Sequence, residues 1–305
     1  MHADYKTYSQ FLSENFPDYG KIQKIGVSVG YSCPNRDGTI GRGGCAYCNN
    51  ASFFPDYESK TEVSYATRED EIARTLELGK RFFARKYPAM KYLAYFQSYT
   101  NTHGASVDAL MRLYERAAKV DDIVGLVIGT RPDCVPDELL DKLAEMNSTV
   151  CPVLLEFGAE SSHNSTLDAV NRCHHWETTV DAVHSAAERK LSVGLHFIMG
   201  LPGETRQMML ETVHRAVELP VETLKFHQLQ IIEGTRFADI WRQNPDYFDL
   251  FTPEAYAALC REIISIVSPT GIAVERFVSQ APDNLLIAPR WGLKNYQFVN
   301  LLGKI

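Results

Sequence analysis

Short apolar, β-branched runs alternate along the chain with longer segments in which apolar positions recur every three or four residues. Ile25–Val29 reads as the first strand, followed by a long glycine-rich loop to about Asn50. The segment from Arg68 to Tyr87 predicts a helix, with Thr67 as N-cap and Asp70 three residues later as a reduced capping box. Tyr92–Phe96 reads as a strand, and Ser106–Ala118 as a helix with Val107, Leu110, Met111 and Tyr114 on one face. The alternation continues: strands at Ile123–Ile128, Val153–Phe157, Val193–Met199 and Leu224–Leu229, and helices at Pro136–Glu145, Trp176–Lys190, Arg206–Leu219 and Pro253–Val267. A last apolar run covers Ala273–Val278. Such alternation means βαβ units and a parallel sheet. Six units with right-handed crossovers give a doubly wound sheet or a partial barrel. Both place chemistry at the C-terminal ends of strands, here the loops after Val29, Phe96, Ile128, Phe157, Met199 and Leu229.

Composition narrows the class. In 305 residues, 45% hydrophobic and 23% charged residues are near the globular norm and exclude disorder, collagen and coiled coil. The net charge of −7 argues against a broad electrostatic grip on nucleic acid and leaves room for a local basic channel. No apolar stretch reaches the ~18 residues of a membrane span, and the first residues lack the layout of a signal peptide. A cytoplasmic protein is expected, in a compartment where thiols stay reduced and clustered cysteines mean metal or catalysis more often than disulfides.

Seven cysteines are present, and three share the loop after the first strand: Cys33, eleven residues, Cys45, two residues, Cys48. The CxxC pair can present two thiolates to one metal, and Gly38, Gly41, Gly43 and Gly44 let the loop bring Cys33 back to them. A structural zinc would want a fourth ligand nearby, and the next cysteine is Cys134, beyond the third strand. A thioredoxin-like pair needs no third cysteine. Three ordinary surface thiols would oxidise. A [4Fe–4S] cluster with three protein ligands and one open iron fits this set best. Cys134, Cys151, Cys173 and Cys260 lack CxxC spacing and read as buried small hydrophobes.

A cysteine triad closing with Cys-x-aromatic-Cys after the first strand resembles the radical S-adenosylmethionine (SAM) superfamily. The eleven-residue gap is similar to that of its YhcC-like subfamily, near the Elp3 and coproporphyrinogen-dehydrogenase branch. Further motifs match in order: FQSYTNT at 96–102, GTRPDCVPD at 129–137, LEFGAES at 155–161, NRCH at 171–174, FIMGLPGET at 197–205, LKFHQLQIIEGT at 224–235 and LLIAPRWG at 285–292. The resemblance spans roughly residues 22–295. It implies a partial (βα)6 TIM-like barrel over residues 1–235, with a C-terminal extension, 236–305, packed on it. It also implies a [4Fe–4S] cluster on Cys33, Cys45 and Cys48, whose open iron chelates SAM and whose reduction yields a 5′-deoxyadenosyl radical. An electron donor such as flavodoxin or ferredoxin is implied as well.

The same resemblance carries roles to single residues. Tyr47 matches the aromatic position beside adenine, or else supports the loop. Gln97 and Ser98 stand where relatives carry a Gly-Gly-Glu type motif for the methionine amino group; a carbonyl and a hydroxyl can still accept from it. Glu160 and Arg172, twelve residues apart, match a ribose-hydroxyl acceptor and an arginine that holds the SAM carboxylate, roles suited to their chemistry. His196 matches a further ribose contact, or is a satisfied core histidine. Gly200-Leu201-Pro202-Gly203 is expected to let backbone approach the ligand, while Glu204 and Thr205 can be ordinary helix-start residues.

For the substrate, Arg276, Arg290, Trp291, Lys294 and Tyr296 interleave cations with aromatics, a composition that can clamp phosphate and stack a base, or can simply close and pack the barrel mouth. The resemblance to Elp3 points to a tRNA base as substrate. Two classes stay open: a radical SAM enzyme, acting on tRNA or on a small metabolite, and a non-catalytic iron–sulfur sensor, which needs no SAM pocket.

Overall fold

The computed structural model describes residues 4–28, 30–53, 67–85, 89–279 and 281–303. Its strands are β1 (Ile22–Val27), β2 (Lys91–Phe96), β3 (Ile123–Thr130), β4 (Val153–Glu160), β5 (Ser192–Met199), β6 (Thr223–Gln228), β7 (Ile231–Ile232), β8 (Ala273–Arg276) and β9 (Leu286–Ala288). Seven of them form one sheet in the order β1-β2-β3-β4-β5-β6-β8, every neighbouring pair parallel. β7 and β9 pair antiparallel beyond it. The sheet curls into a partial TIM barrel. The curl is visible in one contact: Lys24 of β1 and Glu275 of β8, on the two edge strands, form an ion pair at 2.6 Å.

The predicted strands appear within a few residues of their expected bounds. The exception in extent is β1, which starts at Ile22; the expected end at Val29 lies outside the described residues. The helix expected over 68–87 runs Arg68–Ala84, its Thr67 hydroxyl accepting from the Asp70 amide; 86 and 87 lie outside the described residues. Among the described residues, and besides the single turn Pro34–Asp37, four α-helices had no expectation: Tyr8–Asn15, Asn164–Ala169, Arg236–Gln243 and Asn295–Leu302. Each has at most eight residues and buries one or two, too short for a periodic signal.

Strand alternation sets what lies inside and outside the barrel. Along β4, Val153, Leu155, Phe157 and Ala159 pack outward with the helices in the main core. Leu154, Glu156, Gly158 and Glu160 point inward. The interior is layered accordingly. Leu154 joins Phe16, Leu93 and Val127 in an apolar plug. Above it Glu156 meets Lys24 and Lys225 (2.9 Å to the latter), and Lys225 also reaches Glu275 at 3.0 Å and the Tyr95 hydroxyl at 3.1 Å. Beyond this ionic layer the barrel opens into a cavity of about 520 Å³.

Candidate active site

The cysteine loop is built against the end of β4 by its own side chains. Cys33 precedes a single helical turn, Pro34–Asp37, which Gly38 ends at φ +95°. Asn35, fully buried, donates to the Asn171 carbonyl (2.5 Å) and lies 3.7 Å from Cys45 Sγ. Asn171 returns a bond to the Gly44 carbonyl at 2.8 Å, and the Ala46 amide donates to Val170 at 2.9 Å. Arg36 donates to the Cys48 carbonyl at 2.6 Å, and Asn49 to that of Glu233, also at 2.6 Å. Asn50 links the loop to the segment after β2: it accepts from the Tyr99 amide at 2.9 Å and lies 3.8 Å from Cys48 Sγ. Cys33, Cys45 and Cys48 thereby line one cavity. Burial first, and then neighbouring Cys45, push the Cys48 thiol up to about 11, although Arg36 beside it opposes the rise. Among the described residues, no three His, Cys, Asp or Glu side chains group closely enough to hold a single ion.

Glu160 and Arg172 meet in the same cavity. Glu160 sits at φ +67° and Arg172 in the turn after Asn164–Ala169, and their side chains are 3.6 Å apart. Arg172 also donates to the Gly158 carbonyl and lies 3.5 Å from Cys45 Sγ, while its Nε has no partner. Burial, the larger influence, raises the Glu160 carboxyl above its ordinary range although Arg172 opposes it. Gly158 is required by this pair: a Cβ there would meet Glu160 Oε1 at 2.8 Å and Arg172 Nη2 at 2.9 Å. Tyr47 lines the wall beside them, its phenol pushed well up by burial.

Of the other predicted residues, Gln97 and His196 line the cavity and Ser98 does not; Ser98 is buried behind the wall with an unpartnered hydroxyl. Thr100, two residues on, does line it, and its hydroxyl is also unpartnered. His196 stacks at a tilt on His227, centroids 4.7 Å apart, and its Nε2 has no partner. Sequence reasoning missed Thr100, Arg131 and His227. Arg131, which forks onto Asp133 at 2.8 and 2.9 Å and caps the Arg172 carbonyl at 2.8 Å, was signalled by its place just past β3.

Three expectations are corrected. Gly200-Leu201-Pro202-Gly203 does not line the cavity: the space beside Gly200 (φ +88°) is taken by the Phe251 ring, 3.0 Å from where a Cβ would stand, and Leu201 is core. Thr205 there is an ordinary N-cap, accepting from the Met208 amide at 3.2 Å. Cys134 and Cys260 are buried as expected, whereas Cys151 is half-buried and Cys173 exposed, at φ +60°. The C-terminal cations and aromatics form no single stacking surface. Trp291 packs on Tyr256 and Phe298 and donates to the Phe251 carbonyl at 3.0 Å; Arg290 binds carbonyls of its own loop; Tyr296 is 64% exposed; Arg276 alone of the five lines the cavity.

A curled parallel sheet whose first loop carries three cysteines into the cavity mouth defines a class, and the chain belongs to it: the radical SAM superfamily, whose model matches residues 27–216, with a radical SAM C-terminal domain over 221–304. The protein is a radical SAM enzyme, of a family that implies a [4Fe–4S] cluster and SAM. Protein YhcC of Escherichia coli K12 is 38% identical over 274 residues, covering 90% of this chain and 84% of its own length. A tRNA uridine(34) acetyltransferase of Methanocaldococcus jannaschii is 24% identical over 184 residues, 57% of this chain and 32% of that protein. The solved structure of Methanocaldococcus infernus Elp3 with an N-terminal deletion shares the fold, with TM-score 0.65 at 15% identity over 93% of this chain and 62% of that one. Among the described residues no helix is long and apolar enough to cross a membrane.

Proposed function

We propose that the cavity is the chamber of a radical reaction on a tRNA uridine, with a [4Fe–4S] cluster on Cys33, Cys45 and Cys48 and SAM against Glu160 and Arg172. The observation that carries the cofactor reading is the meeting of three thiols and a buried Glu–Arg pair in one cavity. The residues suit the groups. Three cysteines on one cavity wall supply the three thiolates that a [4Fe–4S] cluster with one open iron asks of its protein. Arg172 Nε, Thr100 Oγ1 and His196 Nε2 are polar atoms that a polar ligand would satisfy.

When bound, the cluster supplies the electron that cleaves the SAM sulfonium. The chain's own residues do the rest. Arg172 offers its charge and its unpartnered Nε–H to the SAM carboxylate, and Arg131 holds the Arg172 backbone in place by donating to its carbonyl. Glu160 accepts from ribose hydroxyls, Thr100 and Gln97 stand ready for the ammonium, and Tyr47 flanks the adenine. The Lys24–Glu156–Lys225 layer closes the floor, so that a reactive species above it meets no open water from below. Similarity to the tRNA uridine(34) acetyltransferase supports the substrate; so does a cavity large enough for a flipped base. The reading places the protein in the cytoplasm with a flavodoxin or ferredoxin as reductant.

Anaerobic reconstitution tests the cofactors: about four irons and sulfides per chain are expected in the wild type, with loss of both and of SAM cleavage when the three cysteines are replaced by Ala. Stoichiometric zinc without sulfide in protein purified anaerobically would refute the assignment. For the substrate, nucleoside profiles of tRNA from a deletion strain should lose one modified uridine; an unchanged profile removes tRNA.

A further inference from the structure

One charged residue of the cavity is left over from this account. Arg36 is engaged by the Cys48 carbonyl, Arg131 by Asp133, and Arg172 by Glu160, Cys45 and the Gly158 carbonyl. Glu156 is answered by Lys24 and Lys225. Arg276, at the end of β8, lines the same cavity half-buried, and its Nε is buried with no partner. Its sequence neighbour Glu275 does not help it, being turned to Lys24 and Lys225 at 2.6 and 3.0 Å. Among the described residues no carboxylate pairs with Arg276.

Its surroundings are neutral and directional. His227 faces the Gln228 carbonyl through Nδ1 at 3.0 Å; a carbonyl only accepts, so Nδ1 carries the hydrogen. Burial, and after it the Arg276 charge, bring the His227 pKa down to about 3, which leaves Nε2 a free acceptor at neutral pH. Gln230 completes this stretch of wall, its amide donating to the Ser279 carbonyl at 3.2 Å.

We propose that Arg276 recognises an anionic group on the substrate, a carboxylate or a phosphate, while His227 Nε2 accepts from an N–H or O–H beside it. The assignment rests on the reading of this cavity as the reaction chamber. It makes the substrate an acid whose charged group enters the barrel, and Arg276 a specificity residue.

Titration calorimetry of the cluster-reconstituted, SAM-saturated full chain with uridine, uridine 5′-monophosphate and orotate tests this. Orotate presents a ring carboxylate next to an N–H; the monophosphate presents the other anion on the same base; uridine has neither. At least one anion should bind about tenfold or more tightly than uridine, the range of a charge-assisted hydrogen bond. Preference for orotate assigns a carboxylate, and preference for the monophosphate a phosphate. Arg276→Gln should abolish the preference and Arg276→Lys should recover part of it, which a merely misfolded variant would not. Equal binding of all three, no measurable anion binding to wild type, or a preference that survives Arg276→Gln would each overturn the assignment. SAM titration of the wild type separates the failures: no SAM binding removes the chamber itself, whereas SAM binding without anion preference removes only the role of Arg276.

Discussion

The cavity depends on single atoms placed by buried side chains. Gly158 shows this most directly, because no positive φ requires glycine there and only the Glu160–Arg172 pair does. The atoms a methyl would strike are the ends of two side chains, so Gly158→Ala should fold and load iron normally. SAM affinity should nevertheless fall by about tenfold or more, as a displaced charge-assisted contact does. Iron content and equilibrium dialysis of SAM on the same preparation check this; unchanged affinity would show that the pair does not touch SAM. Arg172→Ala should weaken SAM binding by about 10- to 100-fold, leaving Glu160 without its counter-charge. An exposed cation such as Arg242 supplies the control, since its pairs with Glu233 and Asp239 are at the surface.

At the scale of elements, inward positions of strands across the barrel meet in layers. Lys24 on β1, Glu156 on β4, Lys225 on β6 and Glu275 on β8 neutralise one another inside the barrel. Burial alone would raise the Glu156 carboxyl, yet Lys225 and Lys24 hold it well below its ordinary range. Removing one member leaves an uncompensated buried charge, so Lys225→Met should cost about 3–5 kcal/mol in urea unfolding. The double change Lys225→Met with Glu156→Leu should cost less than the sum of the two singles. Full additivity would mean the charges are not coupled.

The neighbouring histidines on β5 and β6 give the element its pH dependence. Burial, then the charge of the neighbouring group (His227 for His196, Arg276 for His227), lowers both imidazoles, His227 to about 3. The unfolded chain takes up these protons below about pH 6.5. The native barrel does not take up the His227 proton until far lower. Their stabilisation is therefore complete above that value and is lost as pH falls, by about 1.4 kcal/mol per pH unit for each. Glu156 works in the same direction at lower pH, its contribution being present above the ordinary carboxylate range and lost as pH drops toward its depressed value. Between pH 6.5 and 5, His227→Asn should flatten the decline in unfolding free energy by about one such slope; an unaltered slope would show that His227 is charged or solvated in the native protein.

For the whole molecule, a net charge of −7 sets the terms of any tRNA complex. Affinity must come from a few contacts around the cavity, so about three neutralised phosphates and a log–log salt slope of about −2 are expected. A slope several times steeper would require a basic surface of much greater extent. Arg290→Glu should weaken such binding by a few-fold, since Arg290 is exposed and already occupied with its own loop carbonyls, one of them Asp283 next to cavity-lining Pro282.

The alternation of apolar runs was sufficient by itself to predict the seven strands of the parallel sheet and the long helices, but not the short β7–β9 pair, because strand and helix periods are local properties of the backbone that two or three residues are too few to show. The cysteine spacing was legible for a related reason, since it lies in a loop that parallel topology must gather at the site end of the sheet, whereas the Glu160–Arg172 offset was legible only through the resemblance to a known family. What the linear pattern did not contain was who meets whom across the barrel. Lys24 and Glu275 are separated by 251 residues, and only the curl of the sheet makes them neighbours. The tertiary structure likewise decided that Gly200 yields to Phe251 and not to a ligand, that Trp291 is packing, and that Thr100 instead of Ser98 faces the cavity. In each case the residue type allowed both roles, and the direction of one side chain, set by contacts with distant elements, chose between them.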